Sequence, residues 1–162
     1  MRLFFSAALL ALSAASASAQ ASAPRNELSA GAGILTGELT YARRLGSSPV
    51  SVGAGVWGAW EPPHTFDRDV LEPLGATLFA RLRPAPWARA DVGLTAARYL
   101  RADDCSECTG TFAGMRAVAL VGHRWLFVGP EVAFGTAHDE RHGSAFGAIW
   151  GLQARLVLGW GR

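Results

Sequence analysis

Beyond residue 26, apolar residues alternate with small, polar or charged ones in short stretches divided by Gly, Pro, Ser and charged residues. A period of two belongs to a β-strand with two unlike faces. Eight such segments can be counted: residues 27–35, 38–45, 50–60, 74–83, 87–100, 112–122, 125–135 and 145–160. In the fourth, Leu74, Ala76, Leu78, Ala80 and Leu82 alternate with Gly75, Thr77, Phe79, Arg81 and Arg83. In the last, Leu152, Ala154, Leu156, Leu158 and Trp160 alternate with Gly151, Gln153, Arg155 and Gly159. The sixth alternates least cleanly, because Val118 and Leu120 share a face with Arg116. Most segments are near the nine to eleven residues that a tilted strand needs to cross a bilayer.

The connections also alternate. Gly46-Ser47-Ser48-Pro49, Pro84-Ala85-Pro86 and Gly122-His123-Arg124 are tight turns. Residues 61–73, 101–111 and 136–144 are longer and polar, and the first connection is only Thr36-Gly37. Short turns at one end and longer loops at the other are the habit of bacterial outer-membrane barrels.

Charge sorts the same way. Nine of the acidic residues, Glu61, Asp67, Asp69, Glu72, Asp103, Asp104, Glu107, Asp139 and Glu140, lie in the long connections. Glu38, Asp91 and Glu131 lie within segments, opposite the apolar face, and Arg44, Arg81, Arg89, Arg116 and Arg155 share that side. An eight-stranded barrel is just wide enough for its interior to be filled by side chains. Buried charges must be paired. The expectation is an Arg–carboxylate network inside a closed barrel, with no open pore. Trp57, Trp60, Trp87, Trp125, Trp150 and Trp160 fall mostly near segment ends, where interfacial aromatic girdles would place them.

The start of the chain adds a compartment. Arg2 precedes an apolar stretch, residues 3–12, and a small, polar stretch ending in Ala17-Ser18-Ala19 before Gln20. These are the parts of a cleaved secretory signal peptide, and the apolar core is too short to span a bilayer as a helix. The expected organisation is a signal peptide over residues 1–19 and a barrel domain over residues 20–162. After residue 19 no apolar run is long enough for a helical span. In lipid, a closed barrel is then the structure left, because open strands would leave backbone groups unpaired. The composition holds 19 Gly, 6 Trp and 17% charged residues, and every basic residue of the 15 is Arg. A net charge of +2 without an Arg cluster argues against nucleic acid as a partner.

The whole stretch after residue 19 resembles the small outer-membrane β-barrel proteins of the OmpA-like and OmpX-like group. The resemblance rests on the signal peptide, the Gly-rich alternating strands and the apolar-alternating final strand, residues 151–160. It implies an all-β, eight-stranded antiparallel up-and-down barrel in the outer membrane. The implied partners are outer-membrane lipid or lipopolysaccharide and the barrel-assembly machinery that reads the last strand. The departure is at the end, where Gly161-Arg162 follow the aromatic Trp160. Pro130 in mid-segment is a second tension, because it lacks a ladder N–H, and a bulge there would resolve it.

Two motifs could carry chemistry. Cys105-Ser106-Glu107-Cys108 is the one thiol pair, and in an exported protein it reads first as a disulfide. Redox chemistry needs a lowered thiol pKa, and Asp103, Asp104 and Glu107 oppose that. A metal site would need His138 or His142 as further ligands. His142-Gly143-Ser144 resembles the His-x-Ser of outer-membrane lipid A deacylases. That resemblance implies His142 as general base and Ser144 as nucleophile. The strand after Ser144 lacks the acidic residue that this family supplies there. No phosphate-cradling glycine motif stands in a strand–helix context, and no cofactor is expected.

Three functions follow. The first is a non-enzymatic outer-membrane barrel with a structural or surface-interaction role and acidic outer loops. The second is a lipid-modifying hydrolase using His142 and Ser144. The third is a soluble, exported lipocalin-like barrel holding a small apolar ligand, which requires the apolar face to point inward.

Overall fold

The computed structural model describes residues 24–33, 37–58, 70–101, 109–139 and 143–161. Eight strands follow one another: β1 (Asn26–Gly33), β2 (Gly37–Arg44), β3 (Val50–Gly58), β4 (Val70–Ala85), β5 (Ala88–Arg101), β6 (Thr109–His123), β7 (Leu126–Asp139) and β8 (Gly143–Trp160). Each pairs antiparallel with the next, and β8 pairs with β1 to close a barrel.

The register sets the geometry. A path perpendicular to the strands leaves β8 at Leu156 and crosses Ala30, Leu39, Val56, Ala76, Ala96, Ala113 and Thr136. It re-enters β8 at Phe146, ten residues from where it started. An offset of ten residues around eight strands, at ~3.3 Å per residue and ~4.8 Å between strands, tilts each strand by roughly 40°. Each residue therefore climbs about 2.5 Å along the barrel axis.

The turns at the lower end are tight. Leu45 N–H donates to Val50 O at 3.0 Å, and Gly46 takes the left-handed backbone that this turn requires, with φ of 57°. Arg124 does the same in the β6–β7 turn, with φ of 54°.

The alternating pattern sorts residues between two surfaces. Leu74, Leu78, Leu94, Leu158 and Trp150 stand outside, each at least two-thirds exposed apart from Leu94 at 66%. Arg81 and Arg155 stand inside at 0% and 1%. The apolar face therefore points outward, which overturns the lipocalin-like expectation. An apolar cluster of Val118, Leu120, Phe127 and Val157 fills the lower interior against β6, β7 and β8. This explains the weak alternation of the sixth segment, since Val118 and Leu120 are core there rather than outer surface.

Three local expectations are corrected. The strands run further than the apolar pattern, so that residues 109–111, 136–139 and 143–144 belong to β6, β7 and β8 rather than to loops. Backbone pairing continues past the point where side chains turn polar. Pro130 carries no bulge: Val118↔Glu131 and Val121↔Val128 keep one register, and pairing lapses between them. Pro has no N–H to offer β6 at that point. Trp57 points inward rather than into a girdle. Its indole lies against Gly75, where a Cβ would sit 2.3 Å from the ring, and its Nε1 donates to Thr95 Oγ1 at 3.0 Å. Trp87 and Trp125 are exposed in the lower turns, and Trp160 stacks obliquely on Tyr41 with centroids 6.2 Å apart. Trp60 lies outside the described residues.

Candidate functional site

The interior holds a continuous ladder of charge. Near the lower end, Glu27 on β1 is fully buried and faces three arginines. Arg81 Nη1 donates to its Oε1, Arg83 Nη2 to Oε2 at 2.6 Å, and Arg89 Nη2 to Oε2 at 3.2 Å. Arg81 also grips Asp91 with two bonds, Nε to Oδ1 at 2.6 Å and Nη2 to Oδ2 at 2.7 Å. Such a fork-to-fork pair fixes orientation as well as charge. Asp91 in turn accepts from Arg155 Nη1 at 2.6 Å. Arg155 reaches Glu38, and Glu38 is shared with Arg116. Arg116 Nε ends the ladder on Glu131 Oε1 at 2.7 Å.

The strands place these groups by parity and tilt. Arg81 and Asp91 are cross-strand partners on β4 and β5. Glu27 is 54 residues from Arg81 and meets it across the lumen. Two aromatic rings support the cations: the Arg89 guanidinium lies 3.5 Å over the Phe127 ring, and that of Arg81 5.0 Å from the Phe79 centroid. A buried cation over a desolvated ring gains about 2 kcal/mol. Uncharged bonds are interleaved with these charges: Ser29 bonds Thr40 at 2.7 Å between the levels of Glu27 and Glu38, and Thr77 Oγ1 donates to Thr95 Oγ1 at 3.0 Å.

All eight charged residues that the sequence placed on the inner side are inward here: Glu38, Arg81, Arg89, Asp91, Arg116 and Arg155 are buried, and Arg44 and Glu131 half-buried. The network expected from the sequence left out Glu27, Arg83 and Gln153, although Arg83 and Gln153 stood on the face opposite the apolar one. Glu27 shares parity with Ser29 and Gly31, which was the available signal. Gln153 accepts from Arg155 Nη2 at 2.9 Å.

The other candidates are scattered. Cys105, Cys108 and His142 lie outside the described residues, as do residues 1–19. Ser144 stands on β8, exposed, with its Oγ 2.9 Å from His138 Nδ1 on β7. That pair is His138–Ser144 across one hairpin, and no described carboxylate side chain orients the His. Among the described residues, no group of three His, Cys, Asp or Glu could hold a metal ion.

What the arrangement does chemically is fill the lumen and lock its walls together. Each guanidinium joins strands far apart in sequence, so a barrel with little apolar core gains its cross-links from ion pairs. No family model and no curated protein matches the chain. Among solved structures, the chain is similar to the N-terminal β-barrel domain of Pseudomonas aeruginosa OprF, with 13% identity, 82% of this chain and 95% of that chain covered, and a TM-score of 0.47.

Proposed function

We propose that this chain is an integral outer-membrane β-barrel with a plugged interior and a structural or surface-interaction role. One observation carries the reading: the barrel is apolar outside and charged inside, the reverse of a barrel that lives in water. Leu78 and Leu94 on its mid-wall are 67% and 66% exposed, while Arg81 within is 0% exposed. In water, such a wall would leave a large apolar surface uncovered, which soluble monomers avoid. In lipid it is the expected surface. The exposed Trp87, Trp125 and Trp160 at the lower end and Trp150 near the upper end flank this wall. The ion-pair ladder supports a closed lumen rather than a wide channel. Export through residues 1–19, recognition of β8 by assembly machinery and contact with lipopolysaccharide belong to the same reading.

Fractionation of expressing cells tests it. The protein is expected in the outer membrane, with a shift in gel mobility on boiling. A soluble periplasmic protein without a heat shift overturns it.

A further inference from the structure

The interior charges do not match one to one. Among the described residues the lumen holds six arginines and four acids, so positive charge is in surplus by two. The bonds show where. Arg81, Arg155 and Arg116 divide Asp91, Glu38 and Glu131 among them. Arg83 and Arg89 both rest on Glu27, which Arg81 also holds. One carboxylate thus serves three guanidiniums at the lower end, and the surplus lies there.

The register brings these groups to one height. The closing offset of ten residues lifts the perpendicular path by about 3 Å per strand, against about 2.5 Å per residue along a strand. Glu27, Arg44, Ser51, Arg83 and Arg89, one from each of β1 to β5, then fall within about 5 Å of one level. Facing them across the lumen, β6, β7 and β8 offer the apolar Leu120, Phe127 and Val157.

Three donors at this level are buried and have no partner among the described residues: Arg83 Nε, Arg89 Nη1 and Ser51 Oγ. Ser51 is 1% exposed and Arg89 8%. A buried donor left unbonded is costly, and a buried charge left unmatched more so. No further acidic side chain is near in sequence. The other nine of the 13 acidic residues fall within residues 61–72, 103–107 and 139–140, at or beyond the upper strand ends along the chain. The Arg83 side chain is 11% exposed and Arg44 is half-buried, so the level opens on the lower mouth.

These donors define a ligand chemistry. Guanidinium edges match the oxygens of a phosphate in paired, fork-like contacts. A phosphate monoester carries about −1.5 to −2 charge at pH 7, which meets the surplus. Glu27 holds Arg83 through Nη2, and Arg89 through Nε and Nη2, which leaves Arg83 Nε and Arg89 Nη1 for the ligand.

We propose that the lower mouth of the barrel binds one phosphate group, to which Arg83, Arg89 and Ser51 donate. The group is a free phosphate or the phosphate monoester of a lipid headgroup. The site needs only the barrel interior; the headgroup source rests also on the outer-membrane reading.

The test is calorimetric titration of inorganic phosphate into the protein folded in an uncharged, phosphate-free maltoside detergent, with ionic strength held constant by chloride. Circular dichroism checks that each variant keeps its strand content. The expected result is one saturable site, weakened about tenfold or more in Arg83→Gln and severalfold in Ser51→Ala. Arg43→Gln removes an exposed arginine from the outer face of the same end and should leave the affinity unchanged. No saturable binding, or equal weakening in Arg43→Gln and Arg83→Gln, overturns the site. Phosphatidic acid added to the micelles separates the two sources: displacement of inorganic phosphate upholds the site with a headgroup as its ligand, and undiminished binding upholds it with the free anion. A protein that proves soluble on fractionation removes the lipid source alone, and the inorganic phosphate titration still decides the site.

Discussion

Glu27→Gln is the sharpest single perturbation of this barrel. The side chain keeps its size and one acceptor oxygen but loses the charge that three guanidiniums face. Arg81 retains its two bonds to Asp91, so the loss falls mainly on Arg83 and Arg89. Removing one partner of a buried ion pair costs about 3–5 kcal/mol, because the other is left uncompensated. The Arg83 side chain is 11% exposed, so water recovers part of this, and about 3 kcal/mol is expected. Charge count then predicts an asymmetry. Among the described residues the interior holds six arginines, Arg44, Arg81, Arg83, Arg89, Arg116 and Arg155, against four acids, Glu27, Glu38, Asp91 and Glu131. Losing an acid widens that excess, and losing an arginine narrows it. Arg83→Gln should therefore cost about 1 kcal/mol or less, and adding it to Glu27→Gln should recover part of the loss. The assay is urea unfolding of the protein in vesicles, followed by gel mobility without boiling, across this double-mutant cycle. If Glu27→Gln costs no more than Arg83→Gln, the ladder does not carry stability as argued.

Three further changes probe other layers. Leu94→Arg puts a cation on the mid-wall of the apolar face and should cost about 2–4 kcal/mol of folding into bilayers, read as a lower yield of the heat-shifted form. Phe127→Ala empties the lower core and removes the ring under Arg89, for about 3–5 kcal/mol in the same urea titration. Gly75→Val must displace the Trp57 ring and break its bond to Thr95; about 1–3 kcal/mol is expected, and an unchanged midpoint would show that the ring relocates freely.

Much of the architecture was legible because a strand repeats every two residues. The segment holding Leu74 to Leu82 against Gly75 to Arg83 names both faces of β4 without any neighbour. Turn residues such as Gly46 and Pro86 mark where strands end at the lower side. At the upper side the reading stopped short. Thr136 to Asp139 look like a loop by polarity but remain in β7, since backbone ladders do not depend on side-chain polarity. Trp57 looked like a girdle residue because aromatics favour both interfaces and tight interiors. Only its parity with Gly53 and Gly55, and the space over Gly75, distinguish the two. Glu27 fell at the edge of its segment, before the apolar alternation begins.

By itself, the sequence determined how many strands there are, which residues share a face and which carry charge, because these follow from local period and turn chemistry. A period of two is blind to direction, so which face meets lipid and which fills the lumen was decided by closure of the barrel. Closure also decided the offset of ten residues around the eight strands. That offset brings Glu27 to Arg81 across 54 positions. No local pattern encodes it, because it is a property of all eight registers taken together.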